Sequence, residues 1–361
     1  MSTAALWWDP DYHALRRPLL SARNRMRDAV RGYFRAAGFE EIETACLQVS
    51  PGNETHLNAF ETTLAANGSQ ASRYLHTSPE FACKKLLAAG ESQFFTLAPT
   101  FRNGEWSRLH APEFTMLEWY HANRDFDDLL TRIAELLSSV ATSQAVGSKN
   151  CEALVARHRD TSCDLSSAPE RITVARAVER ASGLALADYV SADPQSPAPG
   201  AEETLRFARA VEATGLSTAD DDDWSDIFSK LMTEYVEPTL GHGRPTLLTH
   251  YPACEAALAQ LDEKDPRFAE RVELYICGVE VANGFAELTD GDALQRRFEN
   301  QMDEMERRYS RRYPIDADFI TAVSSMPAAN GCALGFDRLV MLATAAPSVH
   351  DVIWTPAAPI T

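Results

Sequence analysis

The 361-residue sequence predicts an α+β fold in which an antiparallel sheet is flanked by helices. Three observations carry that expectation. Strand-like and helix-like segments mix without the regular alternation that builds a parallel βαβ sheet. Read as a strand, residues 114–120 put Phe114, Met116, Glu118 and Tyr120 on one face and Thr115, Leu117 and Trp119 on the other. An acidic hairpin at 271–290, a charged helix around 292–312 and a glycine-rich strand-to-helix junction at 331–343 follow in close order. The length suits one large domain or two smaller ones; we read residues 1–361 as a single domain with a variable insertion of a few helices at about 140–220.

Taken in order, residues 15–38 read as a basic amphipathic helix with Leu19, Leu20, Met26, Val30, Tyr33 and Phe34 as its apolar positions and Gly38 as its stop. A strand is expected from Phe39 to Leu47. A further strand passes through Tyr74 and Leu75 into Thr-Ser-Pro-Glu at 77–80, where Thr77 and Glu80 have capping-box spacing and Pro79 suits the first turn of a helix running to Gly90. The stretch 140–220 is the least patterned, with Ser/Ala/Pro-rich pieces at 161–169 and 191–200 and an acidic run from Asp220 to Asp223 that reads as a solvated loop. Short strands resume after Pro245.

Composition narrows the classes of function. Lys and Arg total 34 against 52 Asp and Glu, a net charge of −18. Because lysine and arginine supply most non-specific affinity for phosphodiester chains, this balance argues against a long polynucleotide partner. No apolar run reaches the length of a signal peptide or membrane span, so a cytoplasmic protein with no membrane partner is expected. Seven cysteines are scattered singly, without a CxxC pair, and read as reduced thiols.

Three constellations carry chemistry. The first spans Phe101 to Tyr120. Arg102 offers a planar, permanently charged group suited to phosphate or carboxylate, although an arginine alone would be a surface residue paired with Glu105 or Glu113. His110 follows in the loop. Glu118 lies among apolar neighbours, so a protein partner or a ligand must answer its carboxylate. The second is residues 273–285. With Cys277 and Gly278 at a hairpin tip, Ile276 pairs with Val279, Tyr275 with Glu280, and Glu273 with Ala282. Glu273 and Glu280 then share a face as diagonal neighbours, roughly 7 Å apart at the backbone. Such a pair repels unless a cation lies between, and magnesium accepts a few carboxylates beside water and phosphate oxygens. A solvated hairpin face is the alternative. Asn283, Phe285 and Glu287 add to that strand. The third is residues 331–342, where glycines permit close approach and a helix from near Asp337 presents its amino-terminal dipole and Arg338, unless the junction is only a structural turn. Glu80 is a capping residue or a ligand contact; His56, His76 and His121 lack metal-ligand spacing and read as structural.

Together these blocks resemble the signature motifs of class II aminoacyl-tRNA synthetases, most closely the lysine branch. His-Ala-Pro-Glu-Phe-Thr-Met-Leu-Glu-Trp-Tyr, residues 110–120, is similar to the second motif. Val-Ala-Asn-Gly-Phe-Ala-Glu-Leu-Thr-Asp, residues 281–290, looks like the metal and substrate strand, and Gly-Cys-Ala-Leu-Gly-Phe-Asp-Arg-Leu-Val-Met-Leu, residues 331–342, like the third motif. The motifs begin within about twenty residues of the amino terminus, where bacterial lysyl-tRNA synthetases have an anticodon-reading barrel, so no anticodon-binding domain is expected. That points to the stand-alone paralogues that attach (R)-β-lysine to a lysine of translation elongation factor P. Ala282 and Ala333, where the tRNA-charging enzymes usually have glycine, agree with it.

The resemblance implies ATP and Mg2+ as cofactors, (R)-β-lysine or lysine as substrate, elongation factor P as acceptor, a homodimer, and no tRNA partner. It implies that Arg102 holds the α-phosphate and substrate carboxylate, His110 the outer phosphates, and Phe114 the adenine. Asn103, Leu274 and Gly335 would complete the ATP site, Glu273 and Glu280 would bind magnesium, and Arg338 would clamp phosphate. Ser78, Pro79, Glu80, Glu118, Tyr120, Glu280, Asn283 and Glu287 would surround the diamino acid. Three positions depart from the family pattern: Gly104 stands in place of a glutamate that contacts ATP, Ala111 in place of an asparagine, and Ala45 in place of the first-motif proline. A tRNA-charging enzyme without an anticodon domain, and a catalytically weakened regulatory paralogue, are the rival readings.

Overall fold

In the computed structural model, which describes residues 6–145, 154–191, 193 and 198–357, the chain enters through α1 (Pro10–Ala36). Its start is set by Asp9, whose carboxylate accepts the N–H groups of Asp11 and Tyr12, while Pro10 occupies the first helical position. The helix therefore begins five residues before the predicted segment and runs through Pro18. Proline inside a helix removes a backbone bond; here the opening turns are tied down by Arg16, which donates to the carbonyls of His350, Asp351 and Ile353.

The strand expected over 39–47 is two short pieces in different sheets, β1 (Glu40–Glu41) and β2 (Leu47–Gln48). β2 joins β3 (Phe60–Ala66) and β4 (Ser69–Leu75) in a three-stranded sheet. Next come α2 (Glu80–Ala89), β5 (Gln93–Phe101), β6 (Glu113–Ala122) and α3 (Phe126–Ala145). The predicted capping box at α2 does not form. The Thr77 hydroxyl donates to the Pro51 carbonyl, the Ser78 hydroxyl accepts the Glu80 N–H, and Pro79 is the cap rather than a residue of the first turn.

The weakly patterned middle holds the few helices expected of it, and strands as well. β7 (Val155–His158) and β8 (Thr161–Asp164) pair as a hairpin, β9 (Glu170–Thr173) joins the main sheet, and α4 (Val174–Ser182), α5 (Ala201–Glu212) and α6 (Trp224–Leu231) build a core of their own. Stacked rings at its centre, Phe207 on Trp224 at 5.1 Å and Trp224 on Phe228 at 5.2 Å, supply the burial. β10 (Thr246–Pro252), β11 (Phe268–Ile276), β12 (Val279–Ala286), α7 (Gly291–Tyr309), α8 (Ala317–Val323), β13 (Ala329–Gly335), α9 (Phe336–Ala343) and α10 (Val349–Val352) complete the chain. Of the predicted loop pieces, residues 192 and 194–197 lie outside the described residues, as does Cys151. The six other cysteines are free thiols. No helix among the described residues is long and apolar enough to cross a membrane.

The main sheet has eight strands in the order β1-β5-β6-β13-β12-β11-β10-β9. Its interior pairings are antiparallel, and only the edge pairs β1 with β5 and β9 with β10 are parallel. One face carries Leu117, Trp119, Cys332, Leu334, Ala282 and Leu274 into the largest core, beneath α1, α3 and α9. The other face is covered at one end by α2, α7 and α8 and at the other by the helices of the insertion. Between those covers the central strands face a cleft.

One buried ion pair joins the layers. Asp337, in the first turn of α9, accepts from Arg23 of α1 and from the Thr115 N–H of β6 at 2.7 Å, and Arg23 also donates to the Thr115 hydroxyl at 2.9 Å. Both charged side chains are buried. Replacing Asp337 by alanine is expected to destabilise the fold by about 3–5 kcal/mol, because Arg23 is left charged and uncompensated in the interior. Urea unfolding measures this, and a loss below about 1 kcal/mol would show that the pair does not hold the layers together.

Candidate active site

The site is built by register. Across the cleft face, Thr96, Glu118, Ala333, Asn283 and Glu273 lie in one row of paired residues, and Tyr120, Gly331, Phe285 and Arg271 in the next. The hairpin tip is as read from sequence: Cys277 and Gly278 have φ of 54° and 71°, Ile276 pairs with Val279 and Tyr275 with Glu280. Beyond that pair the register shifts by one residue, so Glu273 faces Asn283 and not Ala282 as predicted. The shift matters for chemistry. In a regular ladder Asn283 would face the core; the extra residue turns it onto the carboxylate face, where its amide donates to Glu273 at 3.4 Å.

One half of the cleft is acidic. Glu118 is 1% exposed, and its carboxylate accepts from the Ser78 hydroxyl at 2.5 Å and the Tyr120 hydroxyl at 2.8 Å. Burial, with the nearby Glu80 charge, pushes its pKa up to about 8. Beside it the Lys84 ammonium lies 2.6 Å from Glu80 and 2.6 Å from Glu287. Gly331 lets these groups converge: a Cβ there would stand 2.3 Å from the Glu287 carboxylate and 2.6 Å from the Tyr120 ring.

The other half is cationic. The Arg102 guanidinium lies over the Phe114 ring at 5.4 Å, donates to the Thr77 carbonyl at 3.2 Å and stands 3.8 Å from Glu105. Arg338 donates to the carbonyls of Leu109 and Glu280 at 3.2 and 3.0 Å, tying α9 to the loop before β6 and to β12. His110, bonded through Nδ1 to Ser107 at 2.7 Å, has its pKa lowered by desolvation and by the Arg338 and Arg102 charges. The loop is also held from outside: Trp106 stacks on His350 at 4.5 Å, and the Val349 N–H donates to the Arg108 carbonyl at 2.9 Å.

On β11 and β12, beside Arg271 and Arg338, lie Glu273 and Glu280. Glu273 accepts from Arg271 at 2.5 Å and from the Tyr275 hydroxyl at 2.8 Å. Glu280 is raised to about 7 by desolvation and by the Glu273 charge, the signature of two carboxylates that a cation between them would relieve. Among the described residues no cluster of three or more metal-binding side chains forms, but a magnesium ion that keeps water and phosphate oxygens needs no more than a carboxylate or two.

The structure thus gathers Ser78, Glu80, Glu118, Tyr120, Asn283 and Glu287 on one side and Arg102, His110, Phe114 and Arg338 on the other. Pro79 caps α2 beside Ser78, and Gly335 caps α9. Asn103 is exposed in the loop, with its N–H on the Asn58 carbonyl at 2.7 Å. Leu274 does not join them; strand alternation buries its side chain in the opposite core. His76 bonds the Pro99 carbonyl, His121 bonds Asp128 and His56 bonds Tyr309. Sequence reasoning missed Lys84 and Arg271. Each had a signal, Lys84 lying one helical turn after Glu80 and Arg271 two strand positions before Glu273.

With that geometry in place, comparison with known proteins is specific. A family described as tRNA synthetases class II (D, K and N) matches residues 12–359. The chain is similar to the elongation factor P–(R)-β-lysine ligases of Salmonella paratyphi A and Salmonella dublin, each 36% identical over 339 residues, covering 93% of this chain and 94% of the relative.

The Glu118 carboxyl provides a test of the acidic half on its own. The Ser78 hydroxyl bond favours the ionised form, so Ser78→Ala is expected to move the Glu118 titration further above 8. Carbon NMR of labelled glutamate, assigned with Glu118→Gln, reads the shift, and an unchanged or lowered midpoint contradicts this account of the pocket.

Proposed function

Because the chain belongs to the class II tRNA synthetases of the D, K and N type and, within them, to the elongation factor P–(R)-β-lysine ligases, we propose that it activates (R)-β-lysine or lysine with ATP and transfers it to a lysine side chain of translation elongation factor P. The observation that carries this reading is the pairing of an acidic pocket, Glu80, Glu118 and Glu287, with a cationic one, Arg102, His110 and Arg338, on one sheet face. A diamino acid presents ammonium groups to the first and its carboxylate to the second.

In the first step the substrate carboxylate attacks the α-phosphorus of ATP, and pyrophosphate leaves. Arg102 holds the carboxylate and α-phosphate together, His110 and Arg338 hold the outer phosphates, and Phe114 stacks on the adenine. Asn103 and Gly335 complete the nucleotide site. Ser78, Pro79, Tyr120, Glu280 and Asn283 orient the amino acid with the three glutamates. In the second step the acceptor amine attacks the acyl carbonyl, AMP leaves, and the amine sheds its proton. Neither step demands a dedicated nucleophilic side chain: positioning can contribute ~7–11 kcal/mol, and fixed cations stabilise charge developing on phosphate. Glu273 and Glu280 would hold Mg2+, which supplies neutralisation of the phosphate charge.

We further propose a cytoplasmic homodimer that does not take tRNA as its partner. The homodimer rests on the class II family, and the net charge of −18 supports the exclusion of tRNA.

The direct test incubates the protein with ATP, magnesium and either lysine or (R)-β-lysine, follows pyrophosphate exchange, and then offers elongation factor P or lysine tRNA. Exchange followed by a mass gain on the factor is the expected result. Charged tRNA would favour the synthetase reading, and no exchange with either amino acid would support a regulatory paralogue. Arg102→Ala is expected to lower kcat/KM for exchange by roughly 100-fold or more, the scale of losing one charge-stabilising donor.

The pH dependence has a defined sign. Glu118 is raised to about 8 in the free protein and must ionise to receive an ammonium, so binding expels its proton. Affinity for the diamino acid is expected to rise with pH up to about 8 and level off above it, as read by calorimetric titration at several pH values.

A further inference from the structure

We propose that Lys84 is the protein's own counter-ion in the amino-acid pocket, setting its charge deficit at two and so selecting a substrate with two ammonium groups. This rests on the functional reading above and assigns a role to a residue that the reaction does not otherwise use.

Three carboxylates line the buried end of the pocket; a further one on this face, Glu280, is half exposed and has Arg338 at 3.9 Å as its counter-charge. Glu80 and Glu287 are bridged by Lys84, whose ammonium lies 2.6 Å from each and whose side chain is 2% exposed. Desolvation alone would favour the neutral amine, but the Glu287 and Glu80 charges outweigh it and hold the lysine above its ordinary range. The third carboxylate, Glu118, has among the described residues only the hydroxyls of Ser78 and Tyr120 as hydrogen-bond donors. The other titratable groups facing it are Tyr120 on the same strand, Cys83 on α2 and Cys332 on β13. Burial and the surrounding glutamates push all three upward, so they stay neutral and leave the count unchanged.

Three carboxylates against one internal ammonium leave two negative charges unanswered when all are ionised. A diamino acid brings two ammonium groups and closes that deficit. A monoamino acid of the same length leaves one carboxyl without an ammonium partner, held protonated in a desolvated site and contributing no ion pair to binding. Without Lys84 the three carboxylates crowd together with no fixed cation, and two substrate ammonium groups no longer balance them. Geometry gives Lys84 more than a packing role: its terminal nitrogen stands at bonding distance from two carboxylates, the buried Glu287 and the largely covered Glu80.

Pyrophosphate exchange with purified full-length variants tests this. Lys84→Ala is expected to raise the KM for the diamino acid at least 30-fold and leave the KM for ATP within about threefold of wild type, by the scale of losing a buried ionic partner. n-Propylammonium, which refills the vacated space with a charge, is expected to restore most of the loss, whereas n-propanol, of like size, is not. Lys84→Met keeps the volume without the charge, so it is expected to show the same raised KM and no rescue. It also serves if the alanine variant does not fold. A methionine variant with wild-type KM, or equal rescue by propanol and propylammonium, overturns the role of charge. Wild-type protein inactive with both lysine isomers would overturn the functional reading and this inference with it; active wild type with an indifferent methionine variant overturns the inference alone.

Discussion

Side-chain alternation across the four central strands β6, β13, β12 and β11 is the constraint on which the rest depends. Leu117 and Trp119 are fully buried on one face while Glu118, between them in sequence, lies on the other. The same strands therefore supply the largest core and the charged floor of the cleft, and a one-residue slip would exchange the two sets. The fold uses that sensitivity once to advantage. The single shift between Leu274 and Tyr275 keeps Glu280 beside Glu273 and also turns Asn283 to the same face, which a regular hairpin does not allow. Gly331 sets the depth of the floor, since a Cβ there would strike Glu287 and Tyr120, while Gly284 serves the core face, where a Cβ would stand 3.1 Å from Cys332.

The cleft so formed stores opposite electrostatic frustrations in its two halves. Desolvation and two arginines depress His110, while burial and a neighbouring carboxylate raise Glu118. Each half resists its own charges until a ligand arrives with the complementary ones. A molecule with an anionic end and a cationic end relieves both, and a phosphate-bearing reaction partner relieves the cationic half further as charge shifts during reaction. Interactions that strengthen along the reaction coordinate accelerate it, whereas uniform binding does not. Fixed groups also need little rearrangement, because Arg338 is already bonded to two backbone carbonyls and Arg102 to a third.

Much of this was legible in the sequence because it depends on short-range periodicity. The faces of 114–120, the hairpin tip at Cys277 and Gly278 and the strand-to-helix junction at 335–336 follow from local rules, and the class II family was readable from motifs at those places. What escaped has physical reasons. Residues 10–14 of α1 escaped because the support for that end comes from Arg16 reaching carbonyls more than 330 residues away. β9 was hidden because four residues at a sheet edge leave almost no periodic signal. The ion pair of Arg23 and Asp337 links residues 314 apart and has no local signature. The shift after Tyr275 was invisible for a different reason: an extra residue in a ladder is a property of two strands together, and the alternation of either strand alone remains plausible without it.

The departures at Gly104 and Ala111 can be weighed by where they lie. Gly104 is exposed with φ of 85°, and a Cβ there would meet nothing within 4 Å, so the residue shapes a turn and fills no contact. Ala111 is buried in the apolar core behind the loop, where an amide would need a partner. Neither position holds the loop together. That is done by the Arg102 N–H on the Pro112 carbonyl at 2.9 Å, the Ser107 N–H on the His110 carbonyl at 3.1 Å, and α10 pressing from outside through Val349 and His350. The charged groups facing the cleft keep their positions whatever stands at 104 and 111. The two substitutions therefore bear on the loop, where the proposed reaction grips its nucleotide. They leave untouched the acidic pocket on the other side of the sheet face, where the proposed reaction selects its amino acid, and the proposal rests on that pocket and on Arg102 together.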